Sequence, residues 1–514
     1  MADFKETMAK GYAFSGESIL LGGGLRDGAV VPGAVVRVPL AMMNRHGLVA
    51  GATGTGKTKT LQLMAEQLSA KGVPVFLADL KGDLSGIAAP GESNPKVVER
   101  AQAAGTTFTP AAFPAEFVSI TGAHGIPLRA TVSSFGPLLL ARAFELNETQ
   151  QSVLAMVFKL CDDQKLLLLD LADLKAVLQY LTGEGAGELA GYGGISKATV
   201  GVLFRKIVEM EQQGADRFFG EPEFRVEDLL RTDASGKGIV TLLELDDIQD
   251  RPALFSTFLM WLLASLYHEL PEVGDVEKPK LVFFFDEAHF LFEDASKAFL
   301  SQVEQTVRMI RSKGVGVFFV TQNPKDVADD VLAQLSNRVQ HALRAFTPDD
   351  EKALKAAADT MPRSEFYDIP KTILSLGIGE ALVTVLSEKG TPTPVVATRM
   401  IPPSSRMGPI APEERQARID RSPLMAAYGK AIDRESAREM LEARAKGPDA
   451  AQPAPAGGGP ASARGRGAAE APTMAEAVGK AINSPLGRAV GRELVRGLFG
   501  VLGVSTSRRR RGTF

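Results

Sequence analysis

The sequence predicts an α/β fold: a mostly parallel sheet with helices on both faces, a short β-rich lead-in and a helical insertion. Three observations carry that expectation. Apolar runs of strand length recur at 73–79, 238–245, 280–287 and 313–322, and continuous apolar strands belong to sheets buried on both faces. Helical periodicity fills much of the chain between them, as in strand–helix units of a parallel sheet. Residues 51–58 read Gly-Ala-Thr-Gly-Thr-Gly-Lys-Thr, between an apolar stretch at 48–50 and a helical pattern from Lys59. That is the strand–loop–helix setting of a phosphate-binding loop.

In chain order, residues 1–46 form the lead-in, with β-like pieces at 18–21 and 34–39 and a glycine turn at 22–24. Residues 47–401 are expected to form one nucleotide-hydrolysing domain. Its candidate nucleotide-binding set is Gly51, Ala52, Thr53, Gly54, Thr55, Gly56, Lys57, Thr58 and Lys59. The glycines let backbone N–H groups turn inward around phosphate oxygens. Lys57 supplies a point charge for the β- and γ-phosphates, Thr58 offers a hydroxyl to Mg²⁺, and the following helix adds its positive end. Residues 139–232 turn helical, with Phe144, Val153, Leu154, Val157 and Phe158 at helical spacing, and the pattern continues over 166–180. This is the expected helical insertion.

The sheet resumes at 238–245. Residues 280–289 then read Lys-Leu-Val-Phe-Phe-Phe-Asp-Glu-Ala-His, a buried strand with an acidic tip, placed in the crevice where open α/β sheets bind ligands. Asp286 is positioned to support Mg²⁺ through its water shell, and Glu287 to take a proton from the attacking water. The next strand, 313–322, ends in Thr321 and Gln322; an amide there can donate to a phosphate oxygen and accept from water. ATP hydrolysis with Mg²⁺ is the chemistry these residues predict.

This series of motifs resembles the HerA/FtsK group of P-loop ring motors, with a RecA/FtsK-like fold. It comprises a phosphate loop, a strand ending Asp-Glu-Ala-His, a basic helix end and a strand ending in Gln. The run Asp79-Leu80-Lys81-Gly82-Asp83 is similar to the Asp-Pro-His-Gly-Glu element of HerA helicases. The nearest likeness is to the bacterial HerA-like family carrying the DUF853 domain, over about residues 10–400. The resemblance implies a homo-oligomeric ring, a hexamer, acting on DNA as a helicase or translocase. It also implies an arginine reaching the neighbouring subunit's γ-phosphate from shortly before the sensor strand. Arg311 is the candidate, with Arg308, Arg338 and Arg344 as alternatives. The β-barrel that docks a partner nuclease in HerA proteins does not fit within residues 1–46, so the resemblance speaks for the motor more than for a nuclease partner.

Residues 402–446 read as a charged helical extension and 447–472 as a Pro/Ala/Gly-rich linker with too little apolar surface to order itself. Residues 473–514 read as a basic amphipathic tail. From 461 to 514 there are 10 Arg/Lys against 3 Asp/Glu, whereas the whole chain carries −3. That asymmetry predicts an anionic partner for the tail, DNA phosphate or anionic lipid. Cys161 is the single cysteine, which excludes an intrachain disulfide and reads as buried filler. His289 stands within the acidic motif, as a relay of nucleotide state or a helix start. The polar first ten residues and the shortness of the apolar run at 253–267 predict a cytoplasmic protein without a membrane span. DNA contacts are expected to be to the backbone, with Lys81, Lys325 and Arg338 on candidate pore loops. The alternative function is a nucleotide-dependent switch or scaffold acting on a protein or membrane partner.

Overall fold

Strands in the computed structural model are β1 (Ser18–Arg26), β2 (Ala29–Pro39), β3 (Gly47–Ala50), β4 (Val75–Asp79), β5 (Ala115–Ser119) and β6 (Ile126–Pro127). They continue with β7 (Val240–Glu244), β8 (Leu281–Phe285), β9 (Val315–Thr321), β10 (Asn337–His341), β11 (Glu380–Thr384) and β12 (Val396–Met400). All join one 12-stranded sheet in the order β2-β1-β12-β11-β10-β3-β9-β8-β4-β7-β5-β6. Every pairing from β10 to β6 is parallel, and the pairings from β2 to β10 are antiparallel. The expected mostly parallel α/β sheet is therefore the observed one. The structure describes residues 3–189, 194–293 and 295–446; the linker and basic tail expected at 447–514 lie outside the described residues.

The central parallel strands β3, β8 and β9 are almost wholly apolar and buried along their length, as strands covered on both faces are. Phe283, Phe284 and Phe285 of β8 are buried and alternate between faces. Phe284 meets Phe318 at 5.1 Å and Phe285 stacks on Phe319 at 5.7 Å. A one-residue slip would send each ring to the wrong face, and each buried ring contributes roughly 2 kcal/mol of transfer free energy. The aromatic run thus fixes where Asp286 emerges.

The lead-in is continuous with this sheet, since β1 pairs with β12, Gly22 opposite Met400. It also holds an element that the sequence reading missed, a helix at Phe4–Gly11. Asp3 caps it by accepting from Lys5 N, and Phe4 and Met8 are its buried anchors. Two large apolar residues in a mostly polar octet leave little periodicity to read.

The region read as helical from 139 contains Glu148–Gln164, Leu171–Thr182 and Lys197–Gln212. The run over 166–180 is not one helix. Lys165 turns left-handed (φ 58°), residues 166–169 belong to no helix or strand, with Leu166, Leu168 and Leu169 buried and Leu167 exposed, and Asp170 caps a new helix through Asp173 N. Cys161 is buried. Pro252–Glu269 is a helix buried on nearly every side, with Trp261 against Phe218 at 5.8 Å. Among the described residues no helix is long and apolar enough to cross a membrane.

After β12 the chain wraps back over the phosphate-loop helix, Lys57–Ala70. The buried Glu66 carboxylate accepts from Ser404 N (2.6 Å), Ser405 N (3.0 Å) and Ser405 Oγ (2.8 Å). Gln62 donates to Arg406 O at 2.8 Å. Further on, Arg415 meets Glu244 and Arg129 donates to Tyr428 O. The charged extension is thus tied down by backbone and side-chain polar groups, and it packs Ile410, Ile419, Leu424, Tyr428 and Leu441 into the core.

Candidate active site

The phosphate loop hangs between the ends of β9 and β10. Gly51 N donates to Thr321 O (3.2 Å) and Ala52 N to Ala342 O (2.8 Å). Gly51, Gly54 and Gly56 have φ of 153°, 76° and 114°. At Gly51 the need for glycine is also one of space, because a Cβ would stand 2.5 Å from His341 Cβ. His341 is fully buried and its Nε2 pairs with Thr60 Oγ1 at 2.9 Å. Burial pushes its imidazole down to about 4, so it backs the loop without adding charge. The helix that starts at Lys57 has no side-chain cap on its first N–H groups, which leaves those donors for an anion. Thr58 and Lys59 are half-buried in its first turn.

Lys57 is 7% exposed and its Nζ donates to Ala52 O at 3.3 Å. Burial lowers its pKa, opposed by the charges of Glu287 and Asp286. Gln322 leaves the end of β9, which lies between β3 and β8, and its Oε1 is 3.4 Å from Thr53 Oγ1. Thr53 and Gln322 are exposed, at the open side of the loop.

Asp286 follows β8, buried, and its Oδ1 accepts from Glu287 N at 2.9 Å. Burial first, then the Glu287 charge, push its carboxyl up to about 7. Glu287 takes a left-handed backbone, φ 49°, which costs a non-glycine residue about 1 kcal/mol. The conformation is held because Ala288 N donates to Val320 O of β9 at 2.8 Å. Burial raises the Glu287 pKa, but the hydrogen bond and charge of Lys81 outweigh it, with Lys57 and His289 adding to them, and the net shift is downward. Lys81 Nζ holds Oε1. His289 Nδ1 stands 3.4 Å from Oε2, but the two are not aligned for a hydrogen bond, and Oε2 is buried without a partner.

A second acidic layer lies behind. Asp79, ending β4, accepts from the N–H groups of Lys81, Gly82 and Leu84 at 3.2, 2.8 and 2.9 Å, so it shapes the loop that carries Lys81. Glu244, ending β7, is fully buried and pairs with Arg415 at 3.2 Å. Burial and the neighbouring Asp79 push it up to about 8, against Arg415 and with Asp246 adding to the rise. Between the ordinary carboxylate value and about 8, the unfolded chain has lost this proton while the folded protein keeps it. Glu244 therefore makes stability fall as pH rises through that window. Glu244→Gln is expected to flatten the fall. Denaturation midpoints across the window check it, and an unchanged slope would remove Glu244 as the source.

The loop, Asp286, Glu287 and Gln322 thus converge at the C-terminal ends of the central strands β3, β8 and β9. Arg311 does not join them within the subunit. It precedes β9 at that strand's opposite end, about 23 Å of strand away, 4.0 Å from Asp275, which Arg45 also meets at 3.1 Å. Arg308 pairs with Glu304, and Arg338 lies within β10, donating to Leu332 O at 3.2 Å. Beside the loop a cleft of about 900 Å³ is lined by Thr53, Gln322, Lys325, Arg344, His289 and Phe346, among others. Sequence reasoning missed the Lys81–Glu287 contact and the backing role of His341. The Asp-Leu-Lys-Gly-Asp run was the available signal for the first, and a lone histidine ending a strand for the second.

A family model described as helicase HerA-like C-terminal matches residues 26–510. A DNA double-strand break repair helicase HerA of Saccharolobus solfataricus is 22% identical over 373 residues, 70% of this chain and 66% of that protein. A probable helicase of Methanocaldococcus jannaschii is 29% identical over 154 residues, 28% of each. The match therefore spans less than two thirds of either relative. Among solved structures, the bacterial conjugative coupling protein TrwB, in a trigonal form in complex with sulphate, aligns with a TM-score of 0.50. Its identity is 16%, and the alignment covers 79% of this chain and 94% of that one; that likeness speaks to the fold alone. On the extent of the family match, the chain belongs to the HerA-like helicase C-terminal family.

Proposed function

We propose that the protein is a Mg²⁺-dependent ATPase working as a homohexameric ring that moves along or unwinds DNA. The observation that carries the ATPase reading is the convergence of Lys57, Asp286, Glu287 and Gln322 where β3, β9 and β8 end. Residues Gly51 to Lys59 wrap the phosphates, with Lys57 on the β- and γ-groups. Thr58 and Asp286 offer hard oxygen donors, a set that suits Mg²⁺, and the ion when bound neutralises charge on the phosphate oxygens. Glu287 takes a proton from water through its unpartnered Oε2. The water oxygen bonds to the γ-phosphorus as the bond to the β–γ bridging oxygen breaks, and ADP and inorganic phosphate leave. Gln322 orients that water and donates to the γ-phosphate. Arg311, exposed at the far end of β9 and held in its own subunit by one 4.0 Å contact to Asp275, completes a neighbour's site.

The DNA part of the reading is supported by family membership and by relatives named as helicases. It is tested by ATP hydrolysis with and without linear duplex DNA at low and moderate salt, with Lys57→Ala as the blank. Stimulation several-fold or more that fades with salt is expected, because phosphate contacts release counterions. Robust hydrolysis indifferent to DNA would overturn it in favour of a switch or scaffold with a protein or membrane partner. Partnership of the basic tail with an anionic surface, and of the ring with a nuclease, remains for binding experiments on the full chain.

A further inference from the structure

We propose that Arg344 serves the nucleotide site in cis, its guanidinium facing the γ-phosphate held by its own subunit's loop. The proposal rests on the ATPase reading and adds to it a residue on the same chain. β10 runs parallel to β3 with Gln340 opposite Ala50, so the end of β10 and the start of the loop leave the sheet side by side. The two are then joined directly, Ala52 N to Ala342 O at 2.8 Å. Leu343 is buried and anchors the next step, and Arg344 emerges exposed beyond it. Arg344, Thr53 and Gln322 line one cleft, on the open side of the loop where the end of the phosphate chain belongs.

Two further features set Arg344 apart. Among the described residues it has no hydrogen-bond or ion-pair partner, whereas Arg308, Arg311 and Arg338 are each engaged. The acid nearest along the chain in the same cleft, Asp350, is occupied by the backbone N–H groups of Phe346 and Thr347, at 3.0 and 2.9 Å. An unengaged guanidinium two residues from a peptide bonded to the loop is a preorganised donor fork for a phosphate oxygen pair. Lys325 lines the cleft too, but on a turn beyond Gln322 and as a point charge. In the hydrolysis step written above, Arg344 bonds the γ-oxygens on which charge accumulates, and it transfers no proton.

The first test is binding, which needs no turnover. Affinities for ADP and for a non-hydrolysable ATP analogue, each with Mg²⁺, are measured on the full chain. Arg344→Ala is expected to leave ADP affinity within about twofold and to weaken the analogue about tenfold, with Arg344→Lys between. An unchanged ratio, or an equal loss for both ligands, overturns the proposal. The second test separates cis from trans by mixing Arg344→Ala with Lys57→Ala subunits, with exchange verified by fluorescence transfer. No recovery of turnover above the two parents supports cis. Recovery would place Arg344 in the neighbour's site and overturn it. If the wild-type chain binds ATP but never hydrolyses it, the ATPase reading falls, while the binding ratio still decides Arg344.

Discussion

Glu287→Gln is expected to leave ATP bound and to slow its hydrolysis by about 10²–10⁴-fold, the range for loss of a positioned general base. The amide keeps the size of the side chain and can still meet Lys81, but it takes no proton from water. The wild-type geometry explains why the effect should fall on turnover alone. One carboxylate oxygen is held by Lys81 and the other, buried, has no partner, so the group is oriented before substrate arrives. Single-turnover phosphate release against nucleotide retention on filters measures the two separately. Hydrolysis within a few-fold of wild type would remove Glu287 from the reaction.

Lys57→Ala is expected to weaken ATP by about 10²-fold or more, the ~3 kcal/mol typical of truncating one partner of a buried charged pair. Its side chain is buried in the mouth of the loop beside two carboxylates, and the alanine would leave Asp286 and Glu287 near the phosphates with Lys81, already bonded to Glu287, as the remaining neighbouring cation. The folded protein should not suffer. Burial holds the Lys57 pKa below its ordinary value despite those acids, so at neutral pH the charge is a cost to folding that the variant removes. Thermal unfolding checks both halves. The variant's midpoint without nucleotide should equal or exceed that of wild type, and the rise that ATP gives wild type should be absent. A lower midpoint would mean that Lys57 acts mainly as a structural cation.

The phosphate loop, the acidic strand and the Gln strand were legible because each is a contiguous run whose chemistry and secondary structure coincide. What was not legible depends on pairing across long separations. Lys81 reaches Glu287 only because Asp79 folds the intervening loop and Glu287 adopts a positive φ, and neither shows in a pattern of apolar residues. The placement of Arg311 was obscured by a unit of measure: a few residues in sequence become the whole length of β9 when they are a strand. Arg344, further from Gln322 in sequence, lies nearer to it because β10 returns parallel beside β3. The extension at 402–446 read only as a charged helical stretch because Ser404 and Ser405 bond Glu66 of the phosphate-loop helix and Arg415 bonds Glu244 of β7, polar ties that carry no hydrophobic signal.

The insertion of β9 between β3 and β8 works as a fixed jaw opening. Adjacent strands stand ~4.8 Å apart, so the backbones bearing the loop and the acid are held about 10 Å from each other. Helices on both faces leave the sheet no freedom to narrow that span. Gln322, at the end of β9, stands midway between the jaws. On the proposed mechanism a nucleotide with one phosphate fewer would bring no γ-phosphorus within reach of a water held by Glu287, so the spacing of the strands would set the length of phosphate chain on which the site acts.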